Sequence, residues 1–169
     1  LARLTGWRSL ESVMMVDQSS LGRTPRSNPA VYIGAFDDIR KLFATSPEAR
    51  AFELPAGAFS FNSVQGQCGY CRGTGFEKIE MQFLSDVFIK CPECNGRRYR
   101  DHVLEARLTP PLAKHLAWNI ADLLDATADK VILFLDGYPD SRPAARARAK
   151  LQLLSDVGLG YLRLGQPVN

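Results

Sequence analysis

With 169 residues, 46% of them apolar, the chain is long enough for one moderate domain or a small domain carrying an insertion. A net charge of +3, from 21 Lys and Arg against 18 Asp and Glu, is too slight to imply nucleic-acid binding by composition alone. The longest purely apolar run, Val131-Ile-Leu-Phe-Leu135, is far too short to span a bilayer. No secretory signal segment is visible, so reduced, metal-ready thiols point to a cytoplasmic protein. The first residue is Leu1 rather than Met, as expected of a fragment or of a chain given without its start.

The apolar run at 10–16 leads into Asp17-Gln18 and predicts a buried strand ending in a polar loop. Residues 19–29 are rich in Ser, Gly, Pro, Arg and Asn, and predict a loop. Over 35–43, Phe36, Ile39, Leu42 and Phe43 fall on one helical face. Ser46-Pro47-Glu48 is a capping residue followed by proline at the first helical position, which predicts a second short helix.

Two matched cysteine pairs come next, Cys68-Gly-Tyr-Cys71 and Cys91-Pro-Glu-Cys94, separated by the 19 residues 72–90. They contain every cysteine of the chain. Each Cys-x2-Cys brings two thiolates to one ion from a single tight turn, and two pairs complete the tetrahedral four-sulfur shell that zinc favours. The half-sites resemble each other: Cys71-Arg-Gly73-Thr-Gly75 parallels Cys94-Asn-Gly96-Arg-Arg98. Four thiolates leave no open position for catalytic water, so such an ion is structural. The alternatives are two disulfides or another thiolate-bound metal.

Between the pairs, Ile79, Met81 and Phe83 alternate with Lys78, Glu80 and Gln82, Leu84-Ser-Asp86 can turn the chain, and Val87-Phe-Ile-Lys90 returns it. This predicts an antiparallel hairpin rooted in the metal site. Residues 103–108 read as another strand before Pro110-Pro111. Helical patterns follow at 119–124, at 128–135 with Thr127 as cap and Gly137 as stop, and at 143–157. In the last of these Leu151 and Leu154 lie on an apolar face, and Arg142, Arg146, Arg148 and Lys150 on a basic one. A tail with a short strand-like segment ends the chain. The expected architecture is α+β, a helical body with an inserted four-cysteine zinc module and β-hairpin.

No Gly-x4-Gly-Lys-Ser/Thr loop is present, and no Ser, His and carboxylate set for nucleophilic catalysis is evident, with His102 and His115 reading as surface or partly buried residues. Basic side chains gather around the metal: Arg72, Lys78, Lys90, Arg97, Arg98 and Arg100, with Tyr70 and Tyr99 among them. A rigid platform of this kind engages phosphates by charge and bases by stacking. The alternative is a solvated face, since Glu77, Glu80, Glu93 and Asp101 dilute the charge. A second cluster, Gly22-Arg23-Thr-Pro-Arg26-Ser-Asn28, suits phosphate or a turn held by its own side chains.

Taken together, Val16-Asp-Gln-Ser-Ser-Leu-Gly-Arg-Thr-Pro-Arg-Ser-Asn-Pro29, Phe59-Ser-Phe-Asn62, the cysteine pairs, Ile79-Glu-Met-Gln-Phe-Leu-Ser-Asp86, Val157-Gly-Leu-Gly-Tyr161 and Leu164-Gly-Gln-Pro167 resemble the UvrA family. These are the damage-recognition ATPases of bacterial nucleotide excision repair, within the ABC ATPase superfamily. Phe-Leu-Ser-Asp is similar to a second, drug-resistance-associated class of that family. The resemblance implies a piece of the second nucleotide-binding half: a helical, signature-type subdomain whose phosphate-binding loop lies before Leu1 and whose Leu-Ser-Gly-Gly signature follows Asn169. It divides the chain into 1–34, the end of an ATPase core strand and Q-loop; 35–62, the first part of the helical subdomain; 63–108, the zinc insertion; and 109–169, the second part.

The resemblance makes Gln18 the Q-loop glutamine that couples Mg²⁺ and γ-phosphate to subdomain rotation. It implies ATP and Mg²⁺ as cofactors of the full-length parent only, and structural Zn²⁺ on Cys68, Cys71, Cys91 and Cys94. Double-stranded, damaged DNA is the implied partner, met by Arg23, Arg26, Arg72, Lys78, Arg97, Arg98 and Arg100, with UvrB and a second copy of the parent as protein partners. The fragment itself would catalyse nothing. Ser20 and Gln67 depart from the family pattern, and 110–118 is longer and more apolar than usual. Two other functions fit the cysteines. Cys68-Gly-Tyr-Cys71-Arg-Gly73-Thr-Gly75 also has the form of a DnaJ cysteine-rich repeat, which binds unfolded protein, and the zinc could simply close a long loop.

Overall fold

In the computed structural model, residues Ser9, 11–15, Asp17, Thr24 and 26–168 are described. Gln18 and Arg23 lie outside them, as do Leu10 and Val16 at the ends of the expected first strand. Residues 11–15 form no strand, and Val13, Met14 and Met15 are exposed. Apolar content alone does not make a strand; its backbone needs a pairing edge, and none pairs with 11–15 among the described residues.

Among the described residues, seven helices and one hairpin follow in the order α1 (Pro29–Tyr32), α2 (Phe36–Phe43), α3 (Pro47–Ala51), β1 (Phe76–Ile79), β2 (Val87–Lys90), α4 (Asp101–Glu105), α5 (Ile120–Asp125), α6 (Ala128–Asp136) and α7 (Arg142–Asp156). The architecture is thus α+β, as expected. Helix starts are written in the sequence. Ser46 accepts from the Ala49 amide, Thr127 from Lys130 and Ser141 from Ala144, while Asn119 and Asp122 form a reciprocal capping box.

The body is built where α7 packs against α6 and α2. Buried Ala144 and Ala147 keep the α7 face low, and Leu151 completes it. From α2, Phe36, Ile39, Leu42 and Phe43 are buried as their spacing predicts. Aromatic rings join the layers: Trp118 stacks on Phe134 at 4.4 Å, Phe36 on Phe61 at 5.0 Å, and Tyr99 meets Phe61 edge-on at 6.4 Å.

The 103–108 segment is a correction. Its first half, 103–105, belongs to the helical turn α4, with adjacent Val103 and Leu104 both buried, a pattern that a half-buried strand does not provide. Leu108 then bridges Trp118 through reciprocal backbone bonds of 2.8 and 3.1 Å, enclosing the 110–118 loop. The tail laces the body together. Backbone bonds run from Ala128 to Leu162, from Leu164 to Ala126, from Gly165 to Leu124 and from Ala30 to Leu164.

Three of the four α7 cations are paired with acids of the body. Arg146 Nε and Lys150 Nζ lie 3.1 and 2.9 Å from the carboxylate of Asp38, which is only 4% exposed, and Arg148 pairs with Asp136 on α6. Burial alone would raise the Asp38 carboxyl, but the bond and charge of Lys150, with Arg146 and Lys41, hold it below its usual value. A carboxylate with a lowered folded value adds stability above its unfolded value, about 3.9, and loses it as pH falls through the folded one. Asp38→Asn is therefore expected to lose about 1–2 kcal/mol at pH 7, below the cost of breaking a fully buried pair because both cations are half-exposed and can rehydrate. Urea unfolding at pH 7 and pH 3 checks this, since the gap between the two proteins should close at the lower pH.

Candidate metal centre and its arginine surround

The two half-sites fold alike. In the first, the Gly75 amide donates to Cys71 Sγ at 3.3 Å; in the second, the Arg98 amide donates to Cys94 Sγ at 3.3 Å. The backbone follows the same path, with left-handed φ at Arg72, Gly73 and Gly75 (52°, 83°, 83°) and at Asn95, Gly96 and Arg98 (47°, 85°, 71°). The halves also lock each other, because Cys91 N donates to Gly75 O at 3.0 Å and Cys68 N to Arg98 O at 2.8 Å. Asparagine and glycine tolerate these turns; Arg72 and Arg98 are the costly exceptions.

All four Sγ atoms lie within 4.8 Å of one another, and all four cysteines are buried and free. Cys68 Sγ to Cys91 Sγ is 3.9 Å and Cys71 Sγ to Cys94 Sγ is 3.7 Å. Disulfide sulfurs would stand about 2.05 Å apart, whereas a tetrahedron with zinc–sulfur bonds of about 2.3 Å has sulfur–sulfur edges of about 3.8 Å. The donor set therefore fits one tetrahedral, thiolate-bound ion. Burial pushes the Cys94 thiol up to about 12 and raises Cys68 as well. Burial also acts on Cys71, yet the Gly75 and Gly73 amides and the neighbouring thiols outweigh it and hold that thiol below its ordinary value. Several thiolates in so small a volume need a cation to coexist.

The hairpin rises from this base in the register Phe76↔Lys90 to Ile79↔Val87. Its strands end at Ile79, so Met81 and Phe83 belong to the connecting loop rather than to a strand face, and Phe83 is 94% exposed. Phe76 and Phe88 make an edge-to-face pair across the strands at 5.1 Å.

The expected DNA-facing residues separate into groups. Arg72, Arg97 and Arg100 are exposed, Arg97 beside Asp122 at 3.7 Å and Arg100 donating through Nε to Gln67 O at 3.1 Å. Lys78 is exposed but bonded to Asp86 and Glu80, which raise its pKa. Arg26 is half-buried in a turn where Ser27 N donates to Thr24 O and Asn28 caps α1. Arg98 is not on the surface. It is 8% exposed, with Nη2 donating to Gly165 O at 2.8 Å and its guanidinium 5.5 Å from the Phe61 ring centroid. Tyr70 is exposed, but Tyr99 is a core residue, 1% exposed, whose hydroxyl donates to Phe59 O at 2.9 Å. His102 and His115 are exposed and away from the thiols. The inward roles of Arg98 and Tyr99 escape a reading of charge alone; the apolar Phe59-Ser-Phe61 segment they pack on is the available signal.

A helical body carrying a closed four-thiol knuckle and hairpin defines a protein class in which a metal module is inserted into a larger fold. No family profile matches the chain. It is 47% identical over 164 residues to UvrABC system protein A of Methanothermobacter thermautotrophicus, covering 97% of this chain and 16% of that protein. Against the protein of the same name from Deinococcus radiodurans it is 45% identical, with 98% and 15% covered. The crystal structure of UvrA2 from Deinococcus radiodurans matches with a TM-score of 0.78 at 43% identity, over 90% of this chain and 17% of that one. The chain belongs to the UvrA family, and it spans about one sixth of the length of the curated relatives it matches. Among the described residues, no helix is long and apolar enough to cross a membrane.

Proposed function

We propose that this chain is the zinc-containing, DNA-contacting and nucleotide-coupling portion of a UvrA-type damage-recognition ATPase acting in nucleotide excision repair. The observation that carries the reading is the exposure of Arg72, Arg97 and Arg100 around a single buried four-thiol cluster. Zinc on Cys68, Cys71, Cys91 and Cys94 would hold the turns that present these side chains, and would supply charge neutralisation rather than chemistry. Contacts of this kind attach to the phosphate backbone and carry no base code, so lesion choice would rest on DNA shape and deformability. Arg98 acts from inside, joining the knuckle to the tail at Gly165.

The 1–34, 35–62, 63–108 and 109–169 divisions, the Q-loop role of Gln18, ATP and Mg²⁺ in the longer protein, UvrB, a dimeric parent and a cytoplasmic setting belong to the same proposal. A chaperone-type reading is disfavoured by the second half-site, where Arg98 anchors the knuckle to the helical body in place of a repeat glycine. Combined replacement of Arg72, Arg97 and Arg100 by alanine should weaken duplex DNA binding and flatten its salt dependence. Each lost phosphate contact removes about 0.9 from the slope of log K against log salt, so the expected drop is about 2–3. An unchanged slope in the zinc-loaded protein would sink the direct-contact reading.

A further inference from the structure

A cleft of about 450 Å³ lies between the second half-site and the helical body, lined among others by Lys90, Arg97, Arg98 and Arg163 and by Asp122 and Asp125. Its volume falls in the range of small-ligand sites, about 300–1,000 Å³. Arg98 stands at its inner wall with one bond short. Nη2 is held by Gly165 O and the guanidinium packs on Phe61, but Nη1 is buried with no hydrogen-bond partner. A buried charged donor without an acceptor is unfavourable and rare.

Neither acid of the cleft serves that atom. Asp122 accepts from the Asn119 amide and faces Arg97 and Arg107 at 3.7 and 3.9 Å. Asp125 is bonded to Arg163 at 2.7 Å. Lys90 has no ion pair among the described residues, and four cations face two carboxylates, both already engaged.

We propose that this cleft binds a phosphate group, with Arg98 Nη1 as the inner donor and Lys90 and Arg163 as the outer cations. Phosphate suits it better than a carboxylate, because three or more oxygens and up to two negative charges match the orphan donor and the surplus of two cations. The group can come from free or nucleotide phosphate, or from a phosphodiester of DNA. The inference is separable from the DNA-contact reading, because Arg72 and Arg100 lie outside the cleft lining and its own test uses Lys90, Arg163 and Arg98, with Arg97 alone shared by both.

Inorganic phosphate titrated into the zinc-loaded chain at constant ionic strength, followed by ³¹P NMR line width and melting temperature, tests it. Saturable one-to-one binding is expected, weakened at least tenfold by the double variant Lys90→Ala/Arg163→Ala and by Arg98→Lys, which can keep the Gly165 bond but lacks the second nitrogen that faces the cleft. Should Arg98→Lys lose its metal or fold, the double variant decides, since both its positions are exposed. Competition by a duplex oligonucleotide would assign the site to a phosphodiester; retained binding without competition would assign it to free phosphate. Phosphate acting no differently from chloride, or equally on the double variant, overturns the proposal.

Discussion

Replacing Cys91 with alanine is expected to abolish stoichiometric metal retention and to open the segment from Cys68 to Arg97, up to the Arg98 and Tyr99 side chains held by the body. Cys91 is fully buried, its amide is bonded to Gly75 O and its sulfur faces Cys68. Three thiolates no longer close a tetrahedral shell, and the halves then hold each other through backbone bonds and the hairpin ladder without the ion. Structural zinc sites contribute about 10–16 kcal/mol to folding in small zinc peptides, and little apolar burial replaces that here, since all of β2 is exposed. The helical body should survive, because the packing of α7 on α6 and α2 does not pass through the thiols. Elemental analysis and hydrogen exchange report this directly: lost protection over 68–97 with retained protection in α6 and α7 is the expected pattern. Full metal content in the variant would show that the cluster is not the ligand set.

Gly73→Ala should be nearly as damaging without touching a ligand. A Cβ there would sit 1.9 Å from the Phe61 carbonyl oxygen, and Gly73 has a left-handed φ of 83°. The obstacle is backbone, and it cannot swing away, because Phe61 is buried and stacked on Phe36. Strain of this kind is worth about 1–3 kcal/mol for the backbone alone, and the overlap adds to it, so a loss above about 3 kcal/mol is expected. Gly69→Ala is the matched control. It lies beside Cys68, meets nothing within 4 Å and has no positive φ, so it should stay within about 0.5 kcal/mol of the parent. Urea midpoints of the two zinc-loaded variants separate the cases, and equal midpoints would refute the account of the turn.

Much of this arrangement was legible in the residues, for physical reasons. The cysteine spacing and the matched sequences after each pair foretold two equivalent turns, and the structure repeats them down to the amide bonded to each second sulfur. Caps at Ser46 and Thr127 marked helix starts because capping is local chemistry, and Asn119 and Ser141 cap two further helices in the same way. The errors lie where partners are distant in sequence. Pattern alone could not tell that Val103 and Leu104 would share one core, or that the α7 cations would meet Asp38 more than a hundred residues away. Arg98 shows the same limit. In a list of charges it reads as a surface contact, and only the fold brings Phe61 and Gly165 around it.

The duplicated turn has diverged in one respect that matters for how this region tolerates change. Position for position, Gly75 and Arg98 occupy the same left-handed place, one with no side chain and the other with a long one spanning to the tail. At this position one copy is thus a bare pivot and its sibling a strut, so the second half alone reaches across to the tail, while the first meets the body edge-on where Gly73 abuts the Phe61 carbonyl. Variation at Gly75 will be read out locally at the metal, whereas variation at Arg98 will be felt at the tail as well.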